Sequence, residues 1–588
     1  STSRRQRQMC IRDRDCTSPA FLREDAIGTV LCIPTAFCSY TGEALDKKTP
    51  LLRSMEAISK QAVRVLNLLG DEDVTNVKCS VGPEQEYFLI DREQFLQRDD
   101  LIFTGRTLFG HMPPKGQELD DHYFGTIRER QAAFMRELND ELWKLGILSK
   151  TQHNEVAPAQ HEMAPIYSTA NIATDHNQLV METMKKVARR HNFECLLHEK
   201  PFAGVNGSGK HDNWSLVTNT GKNLLSPGKT PYDNKQFLLF LSAVIAAVDD
   251  NAALLRMSAS NPGNDHRLGA NEAPPAIISI FLGEQLEDIV EQILQNGTAT
   301  HSNKGERMDI GVHTIPPIKK DATDRNRTSP FAFTGNKFEF RMVASSMSIA
   351  GANTVLNATV ADVLQSMADR MEKTDDLDKT VDEIIYETLK EHQKVIFNGN
   401  GYSDEWIAEA EKRGLPNVKT MVDATASLLY PKTIEMFERQ HVYTKTELES
   451  RAEINYEAYA KAINIEAKTM IHMASKEYIP AIISYVTSLG DSINSISAAC
   501  AEADLSVQKD LLTTCSSLLA KAQTALYALK DADKKANAME EGKEQAEFFR
   551  DTVFTAMADL RAPIDELEMI VDKEYWPVPS YGDMLFEV

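Results

Sequence analysis

Three short apolar runs that carry carboxylates on one face limit the folds open to this chain more than any other feature of its 588 residues. In "SVGPEQEYFLID", Glu84 and Glu86 stand two apart, so a strand would point both to one side and Gln85 and Tyr87 to the other. In "HNEVAPAQHEMAP", Glu155 and Glu162 flank a proline-containing turn, in a segment too short and too apolar for a solvated helix. In "GNKFEFRMV", Lys337, Glu339 and Arg341 share a face opposite Phe338, Phe340 and Met342. Each run alone reads as a strand with one wet face. Together they require a sheet whose carboxylates are solvated, protonated or bridged by cations, because like charges so placed repel.

A fourth run, "KPFAGVNGSGKHDNWSL", contains G-x-x-x-x-G-K from Gly204 to Lys210 but has His211 where a phosphate loop needs Ser or Thr. His211, Asn213 and Ser215 then alternate with Asp212, Trp214 and Leu216 as a strand would, whereas a phosphate loop opens a helix. The run is therefore read as a turn entering a strand, and Lys210 is not read as a phosphate ligand. Adding His211 to Glu84, Glu86, Glu155, Glu162 and Glu339 gives an oxygen-rich set suited to hard divalent cations such as Mg²⁺ or Mn²⁺ rather than to zinc. Arg267, Arg327 and Arg341 supply guanidinium forks that match carboxylate and phosphate.

A net charge of −22 argues against nucleic acid or anionic membrane as partner and favours small substrates. Eight scattered cysteines without a C-x-x-C pair fit reduced thiols and a cytoplasmic location. The longest apolar run, Phe237 to Val248, is shorter than the roughly 20 residues of a membrane span and reads as a buried helix.

The fold class expected is α+β. Residues 1–17 read as a disordered or non-native arm, 18–76 as a small α+β module, 77–375 as the catalytic core, and 376–588 as amphipathic helices forming a bundle. The tail "EYWPVPSYGDMLFEV" reads as a docking segment.

Five stretches, "GEALDKKTPLL", "TGRTLFGH", "LHEKPFAGVNGSGKHDNWSL", "NDHRLGANEAPPAI" and "NRTSPFAFTGNKFEFRM", resemble in wording and order the long, class III branch of glutamine synthetase, over roughly Ser18 to the C-terminus. The resemblance implies a β-grasp N-terminal domain, partial here because the chain is shortened at the front, and a catalytic domain with a curved antiparallel sheet. It further implies stacked rings, as in a dodecamer, with sites between neighbouring subunits. The implied activity is ATP-dependent ligation of ammonium to L-glutamate through γ-glutamyl phosphate.

By that resemblance, Glu86, Glu155 and Glu162 hold a first Mg²⁺ or Mn²⁺, and Glu84, His211 and Glu339 a second that bridges ATP phosphates. Asn206 and Gly207 contact the amino end of glutamate, and Arg267 holds its carboxylate. Ser215, Asn213 and Lys337 are nucleotide contacts, Arg327 and Arg341 neutralise the transferring phosphoryl group, and Glu272 shields the acyl phosphate and takes a proton. Departures from the shorter bacterial pattern are a one-residue-closer Glu155 and Glu162, Asn213 in place of a histidine, and Ala332 in place of an ATP-binding arginine. Asp46 is a weak candidate for the ammonium aspartate, read more readily as a surface residue. Two other readings are a γ-glutamyl ligase for a polyamine or another amine, and a non-catalytic ring-forming homologue, which the filled metal positions disfavour.

Overall fold

The computed structural model describes residues 10–269, 273–302 and 326–586, together with 307–308, 311–312, 314 and 318–319. The chain opens with two antiparallel pairs: β1 (Cys10–Arg14) with β4 (Thr35–Ser39), and β2 (Phe21–Asp25) with β3 (Gly28–Cys32). The first pair corrects the expectation of a wholly disordered arm, since Cys10 to Arg14 are fixed by a ladder to residues 35–39. Helix α1 (Lys48–Leu68) follows; it buries Leu51, Ile58, Ala62, Val65 and Leu66 at helical spacing.

Two sheets form the centre. One has four antiparallel strands in the order β10 (Phe193–Leu196), β6 (Gln85–Asp91), β8 (Gln160–Pro165), β7 (Ser149–Asn154). The other has six, in the order β12 (Ile280–Phe281), β15 (Phe331–Phe333), β16 (Phe338–Ala344), β11 (Gly209–Thr218), β5 (Val77–Pro83), β9 (Ser168–Thr169). Its pairs are antiparallel except β12 with β15. A two-residue pair, β13 (Arg307–Met308) with β14 (Ile318–Lys319), stands apart. Strands β5 and β6 are consecutive in the chain and separated only by Glu84, so the two sheets meet at that residue.

Helices cover these sheets. Helix α2 (Ala170–Arg190) lies against β5 and β10, and α3 (Lys235–Asp250) is the apolar run read as a core helix, buried along almost its whole length. Helix α4 (Ala350–Met371) packs along α1 and α3, and α5 (Leu377–His392) packs on α3. Among the described residues no single helix is long and apolar enough to cross a membrane.

Beyond residue 440 the chain is helical, as its periodicity implies: α6 (Lys445–Met473), α7 (Ile479–Ala499), α8 (Ser506–Ala536) and α9 (Phe554–Glu568). The start of α6 is specified locally. Thr444 Oγ1 accepts from the Glu447 N–H while the Glu447 carboxylate accepts from the Thr444 N–H, a reciprocal capping box. The tail does dock: Tyr581 is fully buried among Phe88, Phe202 and Val205 of the sheet domain.

Candidate active site

The strand expected to carry Glu84 and Glu86 together breaks at Glu84. Its N–H turns to the carbonyl of His211 at 3.0 Å, and β6 begins one residue later in the other sheet. The two carboxylates nevertheless converge on one imidazole, for His211 Nδ1 lies 2.9 Å from Glu84 Oε2 and Nε2 lies 3.8 Å from Glu86 Oε1. A register slip between Lys210 and Asp212 places a bulge in the β11–β16 ladder beside His211, the kind of irregularity that re-aims a side chain.

Glu86 stands opposite Glu162 across β6 and β8, and Glu162 stands opposite His153 across β8 and β7. His153 Nε2 is 3.3 Å from Glu162 Oε1, and its Nδ1 is 3.6 Å from Glu155 Oε1. Glu155 is held at the mouth of the proline turn, its N–H donating to the Gln160 carbonyl at 2.9 Å. Ligand atoms of Glu84, Glu162 and His211 all lie within 4.8 Å of one another, as do those of His153, Glu155 and Glu162. Glu162 thus belongs to both groups.

Glu339 and Arg341 share a face of β16 as expected, and Arg341 Nη1 donates to Glu339 Oε1 at 3.2 Å. Glu339 Oε1 is also 3.4 Å from His211 Nδ1. Lys337 departs from that expectation: β16 starts at Phe338, so Lys337 lies in the preceding turn, half-buried. The strand is not an edge. It is paired on both sides and buried throughout, so Glu339 is a core carboxylate.

The electrostatics follow from crowding charge in a dry place. Burial, with Glu86 and Glu162 nearby, pushes the Glu155 carboxyl up to about 9. Burial raises Glu86 as well, against the pull of His211 and Arg267. Burial and the Arg341 charge act to lower His211, but its bond to Glu84 and the charges of Glu86 and Glu339 prevail and lift it to about 9. Without cations Glu86, Glu155 and His211 hold their protons to higher pH than usual.

Arg267 ends a short helix, Pro262–Arg267, and is buried; Nη1 donates to Asn264 Oδ1 at 3.2 Å and Nη2 to the Arg341 carbonyl at 3.3 Å. Two glycines make room for it. A Cβ on Gly209 would stand 2.2 Å from Arg267 Nη2, and one on Gly207 would stand 2.3 Å from the Glu199 carbonyl oxygen. The Nε atoms of Arg267 and Arg341 are buried without a hydrogen-bond partner, donors waiting for an anion.

Asn206 is buried and locked to Gln117, accepting from Gln117 Nε2 at 2.7 Å and donating its N–H to Gln117 Oε1 at 3.0 Å. Asn213 donates to Glu84 Oε1 at 3.0 Å, and Ser215, two residues along β11, lies 2.9 Å from the Asn336 carbonyl. Arg327 is exposed, its guanidinium 5.8 Å from the centre of the Tyr123 ring. Glu272 lies outside the described residues. Ala332 is buried in β15 opposite Glu339. Asp46 is half-buried. Its two carboxylate oxygens accept from the Phe37 and Thr49 N–H groups at 2.8 and 2.9 Å, which pins β4 to the start of α1. Lys210 is likewise structural, buried with its ammonium on the carbonyls of Ser345 and Met347.

Sequence reasoning missed His153 and Glu199. His153 could have been found from the alternation that placed Glu155, since it stands two residues earlier, and β7 sets it against Glu162. Glu199 is buried and accepts from Asn261 Nδ2, the Ser346 N–H and Ser346 Oγ at 2.9, 2.9 and 2.6 Å. No spacing marks it, because its partners lie more than 60 residues away.

The junction of two sheets thus brings together five glutamates and a histidine beside two buried arginines, a site that pairs an oxygen-rich donor set with guanidinium donors for anions. The glutamine synthetase catalytic-domain family matches residues 60–277, its C-terminal-domain family residues 380–497, and its type III N-terminal family residues 11–54. A glutamine synthetase of Butyrivibrio fibrisolvens is 48% identical over 576 residues, 97% of this chain and 80% of that one. A type-3 glutamine synthetase of Dictyostelium discoideum is 46% identical over 583 residues, 97% of this chain and 79% of that one. A Plasmodium falciparum glutamine synthetase structure aligns over 77% of this chain and 84% of its own, with a TM-score of 0.48 and 15% identity. The chain belongs to the glutamine synthetase family, in its type III branch.

Proposed function

We propose that this chain joins ammonia to L-glutamate at the expense of ATP, by way of γ-glutamyl phosphate, and that the residues above divide the work. The observation that carries the reading is the cluster itself, five glutamates converging about His211 and His153 beside two buried arginines with unpaired Nε donors. Such a site accepts cations and anions at once, which is what a nucleotide triphosphate and an amino acid bring.

The donor set fits hard divalent cations. Glu86, Glu155 and Glu162 would hold one and Glu84, His211 and Glu339 another, with His153 set to support Glu155 and Glu162. When bound, Mg²⁺ or Mn²⁺ would supply charge neutralisation for the phosphates. Arg267, lodged against Gly207 and Gly209, holds the substrate α-carboxylate, while Asn206 and the Gly207 backbone face its amino end. Arg341, fixed by Glu339, offers its free Nε to the γ-phosphoryl group, and Arg327 approaches from the surface side.

A carboxylate resists attack by an amine until phosphorylation gives it a leaving group. The acyl phosphate must then meet ammonia before water, the task assigned to Glu272, which also takes the proton released as the amide forms. Asn213, Ser215 and Lys337 are assigned to the nucleotide. Ring assembly, as a dodecamer, and a reducing cytoplasmic setting complete the proposal; Cys16, Cys32, Cys79, Cys195, Cys500 and Cys515 are free thiols, which accords with that setting.

The test is phosphate release from ATP with glutamate and either ammonium or putrescine. Glutamine-forming turnover with ammonium is expected. Release with putrescine alone would assign the chain to amine ligation instead.

A further inference from the structure

A segment near the C-terminus, Tyr581–Phe586, reaches into the floor of the substrate loop. Tyr581, at the start of a short helix, Tyr581–Phe586, is fully buried, and its ring packs edge-on against Phe202 with centroids 5.3 Å apart. Its phenol oxygen accepts from the Ala203 N–H at 3.2 Å and from Arg561 Nη2 at 3.0 Å. It also lies 2.6 Å from Thr107 Oγ1. The Thr107 hydroxyl donates to the Pro201 carbonyl at 2.8 Å, so its one proton is spent there and the Tyr581 O–H must be the donor between the two.

One phenol therefore ties together residue 107, the loop at 201–203 and α9. The fit is close on every side. A Cβ on Gly110 would lie 2.2 Å from Tyr581 Cε1, and Gly110 is itself held by α9, its N–H donating to Asp565 Oδ1 at 2.7 Å and its carbonyl accepting from Arg561 at 3.0 Å. Three residues beyond Ala203 stands Asn206, and the turn between them, through Gly204 at φ +84°, rests on Met112.

We propose that Tyr581 is a positioning residue for the glutamate-binding loop, through which the C-terminal segment sets affinity for the amino-acid substrate. The inference rests on the reading that Asn206 and Gly207 contact glutamate. Removing the hydroxyl leaves the Ala203 N–H and Thr107 Oγ1 each short of a partner, and the loop loses its anchor at Ala203, leaving the Lys200 bond to Val205 and the Gln117 bonds to Asn206 to hold it. The hydrogen bonds of the Tyr581 hydroxyl among the described residues go to Thr107, Ala203 and Arg561 and not to the nucleotide side of the cleft on β11 and β16, so nucleotide affinity should not change.

The experiment compares Tyr581→Phe, Thr107→Val and Asn206→Ala in the full chain by steady-state kinetics and thermal melting. Tyr581→Phe is expected to raise the glutamate KM about tenfold with kcat and the ATP KM within about twofold, and Thr107→Val to do the same in smaller measure. Thr107→Val keeps the inference testable should the tyrosine variant not fold. A lowered melting temperature with an unchanged glutamate KM, or equal rises in both KM values, would overturn the positioning role. If Asn206→Ala raises the glutamate KM and neither other variant does, only the positioning role fails. If Asn206→Ala also leaves it unchanged, the reading of the loop fails and the positioning role with it.

Discussion

Glu86 and Glu162 face one another directly across the antiparallel pair β6–β8, both buried, with His211 at 3.8 Å from Glu86 and His153 at 3.3 Å from Glu162 on the two flanks. Paired acids on adjacent strands repel, and here burial strengthens the repulsion by excluding the water that would screen it. Such a pair is tolerable only when protons or cations sit nearby.

Glu162→Gln should therefore separate stability from function. In chelator, the variant is expected to melt higher than the parent, since one repelling charge is gone. With Mn²⁺ or Mg²⁺ at about 100 times its dissociation constant the parent should gain about 2.7 kcal/mol, most of it absent from the variant. Thermal melts with and without metal measure both effects.

The alternation around Glu339 taken alone reads as a strand with one wet face. The burial of Glu339 between His211 and Arg341 reverses that expectation. Glu339→Ala strands a buried guanidinium and should cost about 3 kcal/mol or more, whereas Glu339→Gln keeps an acceptor and should cost less. Urea denaturation of the two variants distinguishes them.

Gly209→Ala should be among the most damaging small substitutions in the chain. The new methyl meets the Arg267 guanidinium and must displace it, so the expected result is about 1–3 kcal/mol of lost stability with a raised glutamate KM. Kinetics and melting on the same preparation read both.

The His392 imidazole offers a pH test away from the site. Burial acts to lower it, but Nδ1 bonds Asp249 Oδ2 at 2.8 Å and Asp250 adds charge, so it titrates above the usual 6.5; Glu391 and Lys394 also face the pair. A group whose value is higher in the folded chain stabilises fully below its unfolded value and loses that contribution as pH rises through the folded one. Melting temperature should fall from about pH 6.5 upward, and His392→Gln should flatten that part of the profile.

The site's strands were legible because their alternation is local. Any strand through His211 to Leu216 must sort His211, Asn213 and Ser215 to one side, and β11 does so. What local spacing does not reveal is where a strand stops. Glu84 breaks its strand because the carbonyl of His211, 127 residues away, offers its N–H a better partner than the continuing ladder. Asp46 looked free in sequence and proves bound to backbone groups nearby in space, and Glu199 and Tyr581 owe their roles to partners from distant segments. Helices were the easier part. Lys235–Asp250 and Lys445–Met473 declare themselves by apolar content or by periodicity and a cap.

The most direct test counts cations. Mn²⁺ titrated into chelator-treated protein and followed by calorimetry or electron paramagnetic resonance should show about two tight sites per chain, with tight binding weakened by at least about tenfold in Glu86→Gln and Glu162→Gln. Binding that is absent in the parent, or unchanged when either carboxylate is neutralised, would contradict the account.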